Sequence, residues 1–476
     1  MDAPRFRILE VERREWPFRL RLPFRFGAAT VTHGRQAVLR VRVRDEAGRE
    51  GWGVAAETLA AKWFDKDPRW TDGQNEHQLR RALEIAEAAS LAAGANTAFG
   101  HFADAWAEHV AACGKEGLNP LVAAFGRALL DRAALDASLK LRGASFWAGM
   151  RANIGGLAPH PVAPDLIGFD FDRMLAGLGP LRRLHARHTV GLADPITASD
   201  RAERAGDGLP ETLEEVVGAY GHTHFKLKVG GDVGADVERL SRIAAVLDRL
   251  LPGGYRATLD GNEQFGAAEE AAALWRAVEA EPRLARLRGS VLFVEQPVAR
   301  SRALGAGVGA LAAARPVAID ESDGELDAFP RARTLGYAGV SSKACKGVWR
   351  SLLNLARCRA WNAEAGTARF FMSAEDLTTL AGVCVQQDLA LAALLGLAHV
   401  ERNGHHYVDG FAGRPRAEAE RFRAAHPDLY SDTPRGPRLA IRGGALEIGS
   451  LDTPGLGAAA DPDFAAMQPM PAAEWP

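Results

Sequence analysis

The second half of the chain repeats one pattern, in which a short apolar segment is followed by a stretch with helical periodicity. From about residue 187 this alternation is typical of parallel βα units. No reversal of strand order is indicated, so the pattern favours a closed α/β barrel over an open, doubly wound sheet. The predicted strands are HTVGL (188–192), HFKLKV (224–229), YRATLD (255–260), VLFVE (291–295), PVAID (316–320), AGVSSK (338–343), RFFMS (369–373) and GLAHV (396–400).

In the N-terminal region the apolar residues repeat with periods different from those of the βα units. Residues 5–56 alternate in the manner of strands, with DEAGRE as the turn between two antiparallel strands, and the period becomes helical from about residue 75 to residue 140. A chain of 476 residues is too long for one compact core. We therefore expect an α+β domain before the barrel, and a C-terminal tail that returns to this domain.

Charged residues stand where five consecutive predicted strands end. Lys228, Asp260, Glu295, Asp320 and Lys343 are separated by 32, 35, 25 and 23 residues, each about one βα repeat. Functional groups of such barrels lie at the carboxyl ends of the strands, which meet at one rim. The spacing therefore predicts that these five side chains converge.

Three carboxylates at one point need a counter-charge, because burying them together is strongly unfavourable. A divalent cation would supply it, and a set of hard oxygen ligands selects Mg²⁺ over zinc or copper. The predicted ligands are Asp260, Glu295 and Asp320. Glu321 is the alternative third ligand, because a slip of one residue exchanges it with Asp320.

Lys226 and Lys228 are two residues apart on a predicted strand, so both face the same side. A nearby cation and the repulsion between two ammonium groups both favour a neutral amine, which could act as a base. A metal ion and a cationic lysine could then stabilise the charge that develops when a carbon acid next to a carboxylate loses its proton. The pattern indicates proton abstraction at such a carbon.

These residues and their flanking motifs resemble the enolase superfamily, specifically its muconate lactonizing enzyme-like branch within the mandelate racemase/muconate lactonizing enzyme family. The motifs are GWG, LKLRG, KLK, DGN, VEQP, IDES, SKACK and PGLG, in an order and spacing that cover nearly the whole chain. The resemblance implies a (β/α)7β modified TIM barrel, capped by an α+β domain that the N-terminal region and the C-terminal tail form. The implied boundaries are residues 1–155 for the cap, 156–403 for the barrel and 404–476 for the tail.

The resemblance also implies roles for individual residues. Asp260, Glu295 and Asp320 look like the Mg²⁺ ligands, and Lys228 and Lys343 like acid/base residues on opposite faces of the substrate. Lys226 looks like a residue that neutralises the substrate carboxylate. Substrate-binding candidates are Arg25 in the capping segment PFRFG, Asn262, Glu375, Asp376, His399 and Glu401. For Glu375, Asp376, His399 and Glu401, near the ends of predicted strands seven and eight, a structural role is the equal alternative.

Differences between this sequence and known relatives argue against some of the possible reactions. RFFMSAEDLTTL carries no histidine, unlike the strand-seven end of the mandelate racemase branch, and AHVERNGHHY lacks the Asp-x-Asp of dipeptide epimerases. Two lysines favour a racemase or epimerase. The alternatives are a dehydratase or succinylbenzoate synthase-type lyase, a cycloisomerase, and a barrel that binds an acid without turnover.

Composition bears on partners and location. With 58 Lys and Arg against 60 Asp and Glu, no nucleic-acid partner is expected, and no segment reaches the ~18 apolar residues of a membrane span. The four scattered cysteines favour a reducing, cytoplasmic location. We expect a small-molecule carboxylate substrate and, from the resemblance, a homo-oligomer. RRLHARH (182–188) is interpreted as a solvated helix surface, His222, His224, His405 and His406 as solvated histidines, and Lys346 as a surface helix residue.

Overall fold

The computed structural model describes residues 3–27, 29–201 and 203–475. Its first unit is an antiparallel sheet covered by helices. The strands are β1 (Phe6–Phe26), β2 (Ala29–Asp45) and β3 (Glu50–Thr58), and the helices are α1 (Ala61–Phe64), α2 (Asp72–Ala92), α3 (Ala98–Lys115) and α4 (Pro120–Lys140). Two short helices, α5 (Phe146–Arg151) and α6 (Phe171–Ala176), follow before the barrel. Asp45 and Glu50 flank the turn between β2 and β3, so the predicted DEAGRE turn is confirmed.

Helix α4 is the buried centre of this unit. Asn119 caps its N-terminus by accepting hydrogen bonds from the amides of Leu121 and Val122, and Pro120 occupies the first turn, where its missing N–H has no partner to lose. Nearly every side chain between Leu121 and Leu139 is buried, which requires packing on all sides of the helix. The helix packs against α2 and the inner face of the sheet, mostly β3.

Strand β3 approaches α4 so closely that one position accepts only glycine. A Cβ on Gly53, the second glycine of GWG, would lie 2.1 Å from the carbonyl oxygen of Ala133 and 2.2 Å from the amide nitrogen of Ala137. Both are backbone atoms of a helix, so neither can move alone. The GWG motif is therefore a contact between sheet and helix.

Gly53→Ala is expected to destabilise the protein by about 1–3 kcal/mol, because overpacking displaces strand and helix. Thermal unfolding of the purified variant measures the loss. Gly94→Ala is the matched control, since a Cβ there has no atom within 4 Å, and its stability should equal that of the parent chain. An unchanged unfolding midpoint for Gly53→Ala would contradict this account of the motif.

In the residues that the structure describes, eight parallel strands close into a barrel. They are β4 (Arg183–Val190), β5 (His224–Lys228), β6 (Arg256–Asp260), β7 (Val291–Glu295), β8 (Val317–Ile319), β9 (Gly339–Ser342), β10 (Phe371–Ala374) and β11 (His399–Arg402). Each pairs in parallel with the next, and β11 pairs with β4, aligning Val400 with Ala186. The fold is thus the predicted modified TIM barrel with an N-terminal cap.

Helices connect successive barrel strands. They are α7 (Leu213–Tyr220), α8 (Val233–Leu250), α9 (Ala268–Ala280), α10 (Ala285–Ser290), α11 (Arg300–Ala303), α12 (Gly309–Ala314), α13 (Ala328–Thr334), α14 (Val348–Ala365) and α15 (Val383–Leu394). Asp232 caps α8 by accepting from the amide of Ala235, and Gly221 ends α7 at φ 69°, where glycine carries no Cβ penalty. The last strand, β11, leads only into the short α16 (Gly404–Tyr407).

The interpretation of RRLHARH as helix surface was wrong. Residues 183–190 form the first barrel strand, which begins five residues before the predicted start at 188, and Arg187 is fully buried. Arginine and histidine obscured the strand in the sequence because their contacts lie in distant segments. Arg187 and Thr189 face the barrel interior, where they bond Glu375 and Glu401.

The C-terminal tail packs against both units. After α17 (Arg416–Ala425), β12 (Tyr430–Thr433) pairs with β13 (Gly436–Leu439), and β14 (Ala445–Glu447) adds antiparallel to β4. Finally β15 (Gln468–Pro469) pairs with β1, which places the end of the chain on the cap sheet. No helix among the described residues has the length and apolar character needed to cross a bilayer.

Candidate active site

Three of the predicted site residues stand side by side at the rim of the barrel. Lys228, Asp260 and Glu295 end β5, β6 and β7, and the strand register aligns Lys228 with Asp260 and Asp260 with Glu295. The aligned partner of Glu295 on β8 is Ala318, two residues before Asp320, so Asp320 lies farther along its strand. Asn262 and Gln296, just beyond β6 and β7, have positive φ values of 40° and 32°. Such strained residues often occur where a rim is shaped for function.

Lys226 lies one inward-facing position below Lys228, and its ammonium group is surrounded by carboxylates. Its Nζ is 2.8 Å from Asp260 Oδ2, 2.9 Å from Glu295 Oε1, 2.7 Å from Glu375 Oε2 and 3.1 Å from Glu401 Oε2. Burial opposes its charge, but these carboxylates raise the pKa of Lys226 well above its ordinary value. Lys226 is therefore a cationic centre for the protein's own acids.

A second cluster surrounds Asp320. Lys343 Nζ lies 2.8 Å from Asp320 Oδ2, Lys346 Nζ lies 3.5 Å from Oδ1, and the Ser341 hydroxyl donates to Oδ1. Although burial opposes ionisation, the two lysines hold the pKa of Asp320 well below its usual range. Lys346 is buried here and bonds Ser341 Oγ at 2.8 Å, so its interpretation as a surface residue was wrong.

Glu321 points to a different set of partners than Asp320 does. Its Oε1 accepts from Asn262 Nδ2 at 3.1 Å and from Lys66 Nζ of the cap at 3.1 Å. Asp320 instead faces Lys343 and Lys346. Of the two carboxylates in IDES, Asp320 therefore shares its surroundings with a predicted catalytic lysine.

A cavity lies between the barrel rim and the cap. The barrel contributes Lys226, Lys228, Asn262, Lys343, Asp376 and Glu401, and the cap contributes Phe24, Phe26 and residues 58–63. Lys343 Nζ lies 4.2 Å from the ring centre of Trp63, within range of a cation–π interaction. Lys228 Nζ donates to Asp260 Oδ2 at 2.6 Å. Both predicted acid/base lysines thus line one cavity, each bound to a different carboxylate.

Comparison with known proteins assigns the family. The model of the enolase C-terminal domain-like family matches residues 208–464, more than half of the chain. The chain belongs to the enolase superfamily. It falls in the mandelate racemase/muconate lactonizing enzyme branch, which contains isomerases and lyases, so the resemblance inferred from KLK, DGN, VEQP and IDES is confirmed. Among curated proteins, no significant match was found.

Solved structures of this superfamily share the fold. The L-Ala-D/L-Glu epimerase from Bacillus subtilis is 17% identical with a TM-score of 0.57, covering 95% of this chain and 99% of its own. The muconate lactonizing enzyme from Mucobacterium Smegmatis is also 17% identical with a TM-score of 0.57, covering 96% and 98%. A Streptomyces coelicolor A3(2) racemase with bound magnesium is 16% identical with a TM-score of 0.56, covering 96% and 98%. At these identities the likeness establishes the fold alone.

The carboxylates at the rim fit a hard divalent cation. Burial, together with Asp260 and Glu375, raises the pKa of Glu295 well above its usual value, although Lys226 Nζ lies 2.9 Å from each of its two carboxylate oxygens. One ammonium group is thus shared by four buried carboxylates, which leaves too little positive charge around these acids. In the described residues, Asp260, Glu295 and Asp320 do not each bring an oxygen within 4.8 Å of the others. Asp260 is held by Lys228 and Asp320 by Lys343, so a shared ion requires these two side chains to turn toward each other.

The expectation of a neutral lysine is not met in this arrangement. Contact with Asp320 raises the pKa of Lys343 above its ordinary value despite its burial, as the surrounding carboxylates do for Lys226. The reason is direct pairing, which the sequence did not reveal. A cation that takes over these carboxylates would remove the cause of the shift.

Two predicted substrate-binding residues lie away from the cavity. Arg25 is exposed, because alternation along β1 turns Phe24 and Phe26 inward and Arg25 outward. His399 begins β11, at the end of the barrel opposite the rim, where its Nδ1 accepts from Arg187 Nη1 at 3.1 Å. Burial, with Arg187 next, lowers the pKa of His399 to about 2.

The other four candidates lie at or just beneath the rim. Asn262, Asp376 and Glu401 line the cavity, whereas Glu375 is buried below it and bonds Lys226. The carboxylate oxygens of Asp376 accept hydrogen bonds from the backbone amides of Thr379 and Asn403. Asp376 therefore has a structural role in the loop that follows β10.

Arg187 was missed by the sequence analysis. Its guanidinium donates to Glu375 and to the carbonyl of Ala374 at 2.9 Å, so it fixes the carboxylate that bonds Lys226. The available signal was the alternation of Leu184, Ala186 and His188 around it, which fits a strand better than a helix. Its partner could not be read from the sequence.

Proposed function

We propose that this enolase-superfamily chain is a Mg²⁺-dependent enzyme that removes the proton α to a substrate carboxylate, with Lys228 and Lys343 as its acid/base pair. One observation carries the proposal. The two lysines come from β5 and from the end of β9, which are not neighbours, yet both amines reach the same capped cavity. A substrate carbon held between them would have a proton donor and acceptor on each side.

The metal would be held by Asp260, Glu295 and Asp320. When bound, Mg²⁺ supplies positive charge next to the carboxylate on which negative charge develops. Lys228 donates to Asp260 and Lys343 to Asp320, so both amines would be available to the substrate when these carboxylates serve as metal ligands. Lys226 remains on Glu375 and Glu401 and keeps these buried acids neutralised.

The cavity walls indicate the substrate class. Phe24, Phe26, Leu59 and Trp63 cover the lysines with apolar surface from the cap. Such surface favours an apolar substituent, because burying it against aromatic side chains is favourable by about 25 cal/mol per Å². We propose a small carboxylate with an apolar side group. Inversion at its α carbon makes the enzyme a racemase or epimerase, which two opposed lysines favour over elimination.

Exchange of the α proton tests the proposed reaction. A panel of chiral carboxylates is incubated with the protein in deuterated water, with and without Mg²⁺, and deuterium uptake is followed by mass spectrometry. We expect uptake with inversion for at least one apolar carboxylate, and none after chelation. Loss of a leaving group with exchange would identify a lyase, and binding without exchange would refute catalysis.

The choice between Asp320 and Glu321 gives a separate prediction. Asp320→Asn should lower Mg²⁺ affinity by more than about 100-fold, because loss of a partner outside the ligand shell already costs 10–100-fold. Glu321→Gln is the matched control and should remain within about 10-fold of the parent protein. Isothermal titration calorimetry with Mg²⁺ measures both. The reverse order would assign Glu321 as the third ligand.

A further inference from the structure

Three histidines from distant segments meet outside the barrel, where its first and last strands pair. This histidine cluster consists of His188 on β4, His222 just before β5 and His405 on α16. One ring nitrogen of each lies within 4.8 Å of those of the other two. His188 faces outward, because its neighbours Arg187 and Thr189 both face the interior. The interpretation of His222 and His405 as solvated histidines was wrong, since His222 is buried and His405 is half-buried, and His188 is buried as well.

Hydrogen bonding leaves the histidine cluster with unused acceptors. His222 Nδ1 lies 2.9 Å from the carbonyl oxygen of Ala186, to which only a protonated nitrogen can donate, so Nε2 of the neutral ring carries a lone pair. That Nε2 has no partner, and neither do His188 Nδ1 and both ring nitrogens of His405. Buried polar atoms without partners cost free energy, so several at one point indicate a ligand.

The rings are in the form that binds metals. Burial lowers the pKa of His222 to about 4, and it lowers the pKa of His188 and of His405 well below the usual value. All three imidazoles are therefore neutral at physiological pH. A backbone carbonyl that holds one ring nitrogen and directs the other to the ion is the usual support of a metal-binding histidine, and Ala186 has this position for His222.

We propose that His188, His222 and His405 bind one divalent transition-metal ion of the zinc class. Imidazole nitrogen favours Zn²⁺ over Mg²⁺, which prefers oxygen. Tetrahedral Zn²⁺ with bonds of about 2.0–2.1 Å needs donor atoms about 3.3 Å apart. The ring nitrogens of the three histidines lie at most 4.8 Å apart, so each separation must shorten by about 1.5 Å or less to bind the ion. Rotation of the imidazole rings can supply a change of this size.

Three protein ligands leave a fourth position for water or another ligand. His405 lines a cleft of about 380 Å³, together with Tyr220, Gly404 and Arg438, which gives the ion a route to solvent. The cationic side chains that act on His405 are already paired, Arg438 with Asp409 and Arg402 with Asp388. Their charge therefore opposes the entry of a cation only weakly.

The zinc site is separate from the proposed Mg²⁺ site. His188 lies on the outer surface of β4, whereas Thr189 faces inward and donates to Glu401 Oε1 at 2.5 Å. An ion on the histidine cluster would join β4, the segment before β5 and the helix after β11, across the closure of the barrel. Because an ion that binds only the folded chain stabilises it, zinc should raise the unfolding midpoint.

Zinc binding is tested on the full chain, stripped with a chelator and then dialysed against Zn²⁺ with Mg²⁺ in large excess. We expect one zinc per chain by elemental analysis and an unfolding midpoint higher by a few degrees. X-ray absorption at the zinc edge should show three imidazole nitrogens. His222→Gln should lose both the zinc and the shift in midpoint. His185→Gln is the matched control, because His185 stacks on His224, with ring centres 4.6 Å apart, outside the cluster.

The absorption spectrum of the unmodified protein decides the proposal even where His222→Gln fails to fold. His405→Ala, at the half-buried edge, is the second variant for the same measurements. Failure to retain zinc, coordination mainly by oxygen, or equal zinc content in His222→Gln and His185→Gln would each overturn the proposal. Loss of exchange activity in Asp260→Asn with zinc content unchanged would show that the two sites are independent.

Discussion

Lys343→Ala is expected to lower the turnover of racemisation by about 10²–10⁴-fold, because one of two acid/base groups is removed. Exchange of the α proton should distinguish the two enantiomers of the substrate, which the loss of turnover alone does not. Each lysine would serve one face of the substrate, so Lys343→Ala should lose exchange with one enantiomer and keep it with the other. Lys228→Ala should show the opposite preference. Mass spectrometry in deuterated water measures both variants.

Lys62→Ala is the matched control for these variants. Lys62 also lines the cavity, but its ammonium donates to the backbone carbonyl of Trp70 at 2.5 Å, away from the carboxylates. Its turnover should stay close to that of the parent chain. Circular dichroism confirms that each variant is folded, which matters for Lys343→Ala because Asp320 then loses a partner. Exchange of both enantiomers in Lys228→Ala or in Lys343→Ala contradicts the two-base mechanism.

Acid is expected to destabilise the protein between about pH 6.5 and pH 4. Burial lowers the pKa of His109 and of His426 to about 4, whereas an unfolded histidine titrates near 6.5. Below pH 6.5 the unfolded chain therefore binds protons that the folded chain does not, and stability falls as pH falls. Each of these histidines should cost about 3 kcal/mol by pH 4.

Urea unfolding at pH 7.5 and at pH 5 measures this loss. His109 bonds the carbonyl of Ala123 at 2.8 Å in the cap, far from both proposed metal sites. His109→Gln should show a smaller difference between the two pH values than the parent chain. His33→Gln is the control, because His33 is exposed and should leave the difference unchanged. A stability that is constant from pH 7.5 to pH 5 contradicts the assignment of neutral buried histidines.

Much of the barrel was predictable because its signals are local. The eight apolar segments, the turn at DEAGRE and the charged residues at the strand ends can each be read within a few residues. Regular βα repeats then bring Lys228, Asp260 and Glu295 to one rim, since adjacent parallel strands align their carboxyl ends. The structure extends this to the register, in which the three residues are direct neighbours.

Contacts between distant segments were not predictable in the same way. Arg187 was interpreted as surface, yet it holds Glu375, 188 residues later in the chain. Arg25 was predicted to bind substrate, although the alternation along β1 turns Phe24 and Phe26 toward the cavity and Arg25 away from it. Lys346 was taken for a surface residue because its partners, Ser341 and Asp320, surround it only in the folded barrel. For Arg25 and Lys346 the error concerned the direction or the partner of a side chain, whereas for Arg187 the element itself differs, because RRLHARH lies largely in strand β4.

By itself, the sequence determined the barrel, the cap, the family and the order of acids and lysines along the rim. Tertiary structure alone decided that Lys226 binds four carboxylates, that Lys343 is paired and that three histidines converge beside the closure of the barrel. The physical reason is the difference between interactions that are local in the sequence and interactions that are local only in space. Strand and helix periods depend on neighbours along the chain, whereas ionisation and ligand geometry depend on atoms a few ångströms away that the fold brings from anywhere in the sequence.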